Sequence, residues 1–146
     1  MESNQKPVKN AIAYVIYNPD RSQFLTVQRP SDDEDLPDAW GLPAGSLKEG
    51  ESFEDAILRS GREKLGVELR VTKLIGEGDL KRAGYVLHMR EYEAEIVRGE
   101  PQVPQDVAEV TQYQAWRWGS ADDLIPAAQQ GSLCSQLYLK SLNRKW

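Results

Sequence analysis

The chain has 146 residues, 40% hydrophobic and 28% charged, which is the size and composition of one globular domain, taken as residues 1–146, with one real core. Its formal net charge of −5 argues against a binder of nucleic-acid polymers, which carries a basic excess, but leaves room for a local basic cluster that takes a small phosphorylated ligand. The one cysteine, Cys134, excludes an intrachain disulfide; with no apolar run of membrane-spanning length and a polar, flexible start at residues 1–10, the expectation is a cytoplasmic protein with no membrane partner.

In chain order, residues 11–17 (AIAYVIY) are a compact apolar run that ends at the turn signal Asn18-Pro19-Asp20-Arg21. Residues 23–28 (QFLTVQ) alternate as a second strand, expected to pair with the first as a hairpin. Residues 31–38 read as an acidic surface loop. Trp40-Gly41-Leu42-Pro43-Ala44-Gly45 reads as tightly shaped backbone, with Gly41 and Gly45 able to take conformations closed to other residues. Ser52 is a helix N-cap, Asp55 follows it as in a capping box, and Gly66 stands at the C-cap, leaving about three turns between. Residues 67–75 (ending at Gly76), 85–97 and 111–118 read as strands, with a proline-containing loop at 99–106. A helix starts at Ser120 and the Asp122-Asp123 pair and runs through Ala128; Gly131 breaks it, and residues 132–142 form a last helix. Few helices and many strands point to an α/β (α+β) fold, a mixed sheet packed between helices.

The stretch from Gly45 to Val67 resembles the signature of the Nudix (MutT-like) hydrolase superfamily: Gly, five residues, Glu, seven residues, Arg-Glu, an aliphatic residue, any residue, Glu-Glu, any residue, Gly and an aliphatic residue. Gly45, Glu51, Arg59, Glu63, Gly66 and Val67 meet it; Ser60, Gly61 and Lys64 depart from it. The flanks agree: Arg29 follows the second strand, residues 40–45 resemble the family's Trp-Gly-Leu-Pro-Gly-Gly approach with Ala44 for one glycine, and Arg117-Trp118 followed by Asp122-Asp123-Leu124 resembles its final strand and helix start. The resemblance implies a Nudix-type mixed β-sheet sandwiched between α-helices, and a hydrolase that cleaves a diphosphate bond in a nucleoside diphosphate-X type substrate. It implies Mg²⁺ (or Mn²⁺) on helix glutamates, here Glu63 together with the Gly45 carbonyl. Glu109, ahead of the last strand, is the further catalytic carboxylate it suggests, and Arg29 and Arg59 would neutralise phosphate charge.

The three departures change that chemistry. The full motif's glutamates converge on the metals from positions 60, 63 and 64, and only Glu63 remains. Arg59, Arg62, Glu63 and Lys64 together carry +2, where the motif's three glutamates and one arginine give −2. A dication is therefore held less well unless Lys64 snorkels away. Two readings follow: a weak or atypical diphosphatase, or a non-catalytic module in which Arg59, Arg62 and Lys64 meet the phosphates of a small ligand, or a protein partner, directly. Among the remaining residues, Asp55 is expected to bridge to Arg59 one turn on, Glu51 to be structural, and Glu91, Glu93 and Glu95 to form a solvated strand face. Gly61 is expected to allow close helix-to-sheet packing, and His88, Trp116 and Trp118 to pack structurally. Loops 31–38, 76–84 and 99–106 would set the substrate. Leu137, Tyr138, Leu142 and Trp146 either pack at a homodimer interface or finish the monomer core.

Overall fold

The computed structural model describes residues 6–105 and 112–146. Its centre is β1 (Val8–Ile16), from Ala11 onward buried on both faces. Because side chains alternate across a strand, Ile12, Tyr14 and Ile16 enter one half of the core while Ala11, Ala13 and Val15 enter the other. The strand starts earlier than the apolar run suggests, since Val8, Lys9 and Asn10 already pair with Val86, Leu87 and His88.

The other strands are β2 (Phe24–Gln28), β3 (Trp40–Gly41), β4 (Ala44–Ser46), β5 (Glu68–Lys81), β6 (Val86–Arg98) and β7 (Ala115–Gly119). One sheet has the order β4-β1-β6-β5 and the other β3-β2-β7. β1 runs parallel to β6 and every other pairing is antiparallel, so the first sheet is mixed. The expected β1–β2 hairpin is corrected: only Tyr17 and Phe24 bridge. Both edges of β1 are taken by β4 and β6, so the chain carries β2 into the second sheet, against β3 and β7.

Helix α1 (Phe53–Ser60) covers one face of the first sheet through Ala56 and Ile57. Ser52 caps it, its Oγ accepting from Asp55 N at 3.0 Å. The α-helix stops sooner than expected: Gly61–Leu65 forms a π-helical turn, closed by Gly66 at φ 67°. Gly61 sits so close to the sheet that an added Cβ would lie 2.5 Å from Leu69 Cδ1, in keeping with the packing role expected for it. Gly45 and Gly41 do not need special backbone angles, contrary to expectation; they lie in strands, and the positive-φ glycines described are Gly50, Gly66, Gly99 and Gly131.

The opposite face is covered by a 3₁₀ turn (Ala121–Leu124), α2 (Ile125–Gln129) and α3 (Leu133–Ser141). The single helix expected over this first stretch is divided, and Pro126 starts the second piece, since a proline fits only the first turn of a helix. Helices therefore lie on both faces of the mixed sheet, the α+β layering expected. Leu137 and Tyr138 are buried in the monomer core, whereas Leu142 and Trp146 are exposed. No helix among the described residues is long and apolar enough to cross a membrane.

β5 does not stop at Gly76 but passes through it as a bulge, one of three along the strand. The glutamate face of β6 is also corrected. Glu95 is exposed and bonded to Arg70, and Glu93 accepts from Arg21 at 3.1 and 3.2 Å, but Glu91 is fully buried with neither oxygen partnered. α3 lies across β5 and β6, which closes solvent from Glu91.

Candidate functional site

A cleft of about 520 Å³ opens where β3, β4 and the end of α1 meet the α2–α3 side of the first sheet. Its lining is mixed: Ala11, Leu42, Leu87, Met89, Leu133 and Cys134 are apolar, while Arg29, Asp35, Lys48, Arg59, Ser60, Glu63, Lys64 and Arg82 are charged or polar. The volume lies in the range of about 300–1,000 Å³ common for small-molecule sites, and the mixed lining suits a ligand with an organic part and an anionic part.

Arg59 is committed. Its Nε and Nη2 bond Glu51 at 2.8 and 2.9 Å, its Nη1 bonds Glu63 at 3.0 Å, and Nη2 also reaches the Ser46 carbonyl at 2.9 Å. The hydrogen bonds from Arg59 hold the Glu51 carboxyl below the usual range, and Glu51 and Glu63 in turn hold the guanidinium charged. The partner expected for Arg59 was Asp55; instead the charge is met by Glu63 one turn on and by Glu51 from the loop before the helix. Arg59 thus ties helix, loop and β4 together, and two carboxylates already neutralise the charge that was expected to meet phosphate. Glu51 is structural, as its place before the cap suggests.

Lys64 turns into the cleft. Its Nζ donates to the Ala44 carbonyl at 2.6 Å and stands 5.2 Å from the centre of the Tyr113 ring. The Tyr113 hydroxyl fixes the same residue, accepting from Ala44 N at 3.0 Å and donating to Ala44 O at 3.1 Å. A Cβ on Gly45 would lie 3.6 Å from this ammonium and 3.9 Å from Ser60 Oγ, ordinary contact distances that place positions 45, 60 and 64 side by side. Ser60 is buried and shares a 2.9 Å hydrogen bond with the hydroxyl of Tyr14, whose burial pushes its proton affinity up.

Positions 45, 60 and 64 therefore do converge, but their donors do not fit the divalent cluster that the resemblance implies. Mg²⁺ wants a shell of oxygens, largely carboxylate and water. Here the Ser60 oxygen is engaged by Tyr14, one Glu63 oxygen is bonded to Arg59, and an ammonium holds the cleft-facing carbonyl. That carbonyl is Ala44's rather than Gly45's. Gly45 pairs with Ile12, and the bonds Tyr14 N to Pro43 O and Leu47 N to Asn10 O set an alternation that turns Gly45's carbonyl toward β1. No group of three or more His, Cys, Asp or Glu side chains that could hold a metal is found among the described residues. Glu109 lies outside the described residues.

Arg29 lines the cleft with its Nε 3.2 Å from Asp33. Arg62 does not reach the cleft: it is exposed, lines a separate groove and stands 3.6 Å from Glu68. It projects from the π turn away from positions 60 and 64, which removes it from the phosphate set. His88 bonds Glu77 at 2.7 Å and Asp79 and packs edge to face on the Phe53 ring, while Trp116 and Trp118 stack edge to face at 5.5 Å, all outside the cleft. Residues not singled out from the sequence are Tyr113, Lys48 and Arg82. Arg82, half-buried in the β5–β6 turn, lines the cleft without a carboxylate partner among the described residues. Its location in the 76–84 loop was the available signal.

Comparison with known proteins agrees with the fold. A MutT NUDIX hydrolase from Burkholderia pseudomallei is 26% identical, with TM-score 0.66 over 87% of this chain and 100% of that one. A NUDIX hydrolase from Nitrosomonas europaea is 22% identical, with TM-score 0.70 over 94% and 89%. An ADP-ribose pyrophosphatase from Streptococcus suis is 19% identical, with TM-score 0.65 over 92% and 90%. No functionally curated protein matches the chain in sequence. Residues 6–135 match the NUDIX domain family model, and the chain belongs to the NUDIX family.

Proposed function

We propose that the cleft binds a small phosphorylated molecule of the nucleoside diphosphate-X type, and that this chain is first a binding module for that ligand. The carrying observation is the cleft's mixed lining: apolar side chains that suit a flat organic group, together with Lys64 and Arg82, which have no carboxylate partner among the described residues. Small phosphorylated substrates are what the family binds, and structural neighbours include a UDP-X diphosphatase and an ADP-ribose pyrophosphatase. Arg29 supplies a third cation once Asp33 yields it.

Glu63 favours a second reading, weak or atypical cleavage of the bound diphosphate with Mg²⁺ or Mn²⁺. Its carboxylate lines the cleft, and one of its oxygens is bonded to Arg59. That reading draws on Glu109 as the further carboxylate and requires Lys64 to leave the Ala44 carbonyl.

The test is a calorimetric and phosphate-release screen over nucleoside diphosphates and triphosphates, dinucleoside polyphosphates and nucleotide sugars, in EDTA and with Mg²⁺ or Mn²⁺. Binding in EDTA without turnover is the expected result. Metal-dependent release that Glu63→Gln abolishes would establish the second reading instead. Neither binding nor release would overturn both.

A further inference from the structure

We infer that Lys64 is the resident cation of the phosphate site, a tethered ammonium standing where a divalent ion would otherwise bridge protein and diphosphate, so that diphosphate binding here is independent of metal. The inference deepens the proposed function and rests on it.

Three observations carry it. First, the ammonium sits at the point where positions 45, 60 and 64 converge, held on the Ala44 carbonyl at 2.6 Å, which is the cleft-facing oxygen of β4. Second, the position is built: the Tyr113 hydroxyl holds residue Ala44 by both its N–H and its carbonyl, and the ring lies beneath the ammonium. A face of aromatic electron density next to a carbonyl stabilises a cation without neutralising it. Third, no carboxylate pairs with Lys64 among the described residues, because the nearby Glu63 and Glu51 both answer to Arg59. An ammonium has three donors and no acceptor. One is spent on Ala44, and two remain for phosphate oxygens.

A metal-bound diphosphate site starts negative and becomes positive when ions enter; this cleft starts with a basic excess, Arg29, Lys48, Arg59, Lys64 and Arg82 against Asp35 and Glu63 in its lining. A divalent ion entering beside Lys64 meets like charge, so metal competes with the site rather than completing it.

The experiment is calorimetric titration with inorganic pyrophosphate and with ADP, in EDTA and again in Mg²⁺, for the wild type, Lys64→Gln and Lys64→Arg. Expected are binding in EDTA, binding no tighter in Mg²⁺ after correction for complexation in solution, and a loss of about 10- to 100-fold in Lys64→Gln, as for removal of a charge-assisted bond. Lys64→Arg keeps the charge and is expected to recover most of that loss. Circular dichroism melts verify that each variant is folded, and the Arg variant carries the test should the Gln variant not fold. Binding that appears only with Mg²⁺, or a Lys64→Gln protein that binds as tightly as wild type in EDTA, overturns the inference while leaving the proposed function standing. Failure of both probes to bind under any condition overturns the two together.

Discussion

Glu91 offers the sharpest test of the packing described above. The carboxyl lies in β6 between Ala13 on β1 and Gly76 on β5, fully buried beneath α3, with neither oxygen hydrogen-bonded. Burial raises its pKa well above the ordinary carboxylate value, and burial likewise pushes up the neighbouring Cys134 thiol and Tyr138 hydroxyl. Replacing it by leucine removes a buried polar group that has no partner, whose desolvation costs about 1–3 kcal/mol. For a chain of this length 1 kcal/mol corresponds to about 2–4 °C, so Glu91→Leu is expected to raise Tm by roughly 2–12 °C. The pH dependence carries the sign. The folded form holds the proton to higher pH than the unfolded form, so the wild-type group contributes most below the unfolded carboxylate pKa of about 4.3 and loses that contribution as pH rises through the folded value. The stability difference between Glu91→Leu and wild type should therefore widen from about pH 4 upward and then level off. Urea denaturation of wild type, Glu91→Gln and Glu91→Leu across that range measures it, because all other titrating groups cancel in the differences. A leucine variant that is less stable at every pH, by the amount usual for a disturbed core, would show that the carboxyl is partnered and that this account of β6 is wrong.

Gly61→Ala gains about 1 kcal/mol of helix propensity but sets a methyl 2.5 Å from Leu69 Cδ1, so a net loss of about 1–2 kcal/mol is expected in chemical denaturation, and an unchanged midpoint would refute the close packing. Ser60→Ala strands the buried Tyr14 hydroxyl and should cost about 1–3 kcal/mol by the same measurement. Arg62→Ala, on an exposed ion pair outside the cleft, should change neither stability beyond about 0.5 kcal/mol nor pyrophosphate affinity, whereas Arg82→Ala should weaken pyrophosphate binding severalfold at unchanged Tm. Equal effects of these two arginines on calorimetric binding would refute their assignment to separate grooves.

What the sequence reveals here is what depends on local rules. The start of the first helix follows from Ser52 and the end of the helical stretch from Gly66, though not the π turn at Gly61–Leu65, and the central strand follows from an apolar run that must be buried on both faces. Non-local choices are hidden. The helix spacing rule finds Glu63 as a partner for Arg59 but cannot reveal Glu51, which arrives through a loop and displaces Asp55. The burial of Glu91 depends on α3, which the chain reaches some forty residues later. Alternation along β6 puts residues 91, 93 and 95 on one face but not where α3 ends. Lys64 could extend to solvent or fold inward, and the choice is made by the Ala44 carbonyl and Tyr113, neither of which is adjacent to it in sequence.

The departures from the family motif are better understood as one packed unit than as separate losses. Serine at position 60 is small enough to be buried against Tyr14, and a glutamate there would carry its charge toward a hydroxyl that is itself sealed from water. Glycine at 61 lets the π turn press on Leu69, and the turn that follows carries Lys64 to the Ala44 carbonyl. Arg59, kept from the motif, then takes up both glutamates that remain of that motif, Glu51 and Glu63. Each change removes a charge or a volume that the next one would contradict: a carboxylate at 60 beside the ammonium of 64 would pair with it and withdraw it from the cleft. Restoring one glutamate alone is thus expected to break the packing without recreating a metal site, since the tyrosine, the leucine and the lysine contacts would all have to move together.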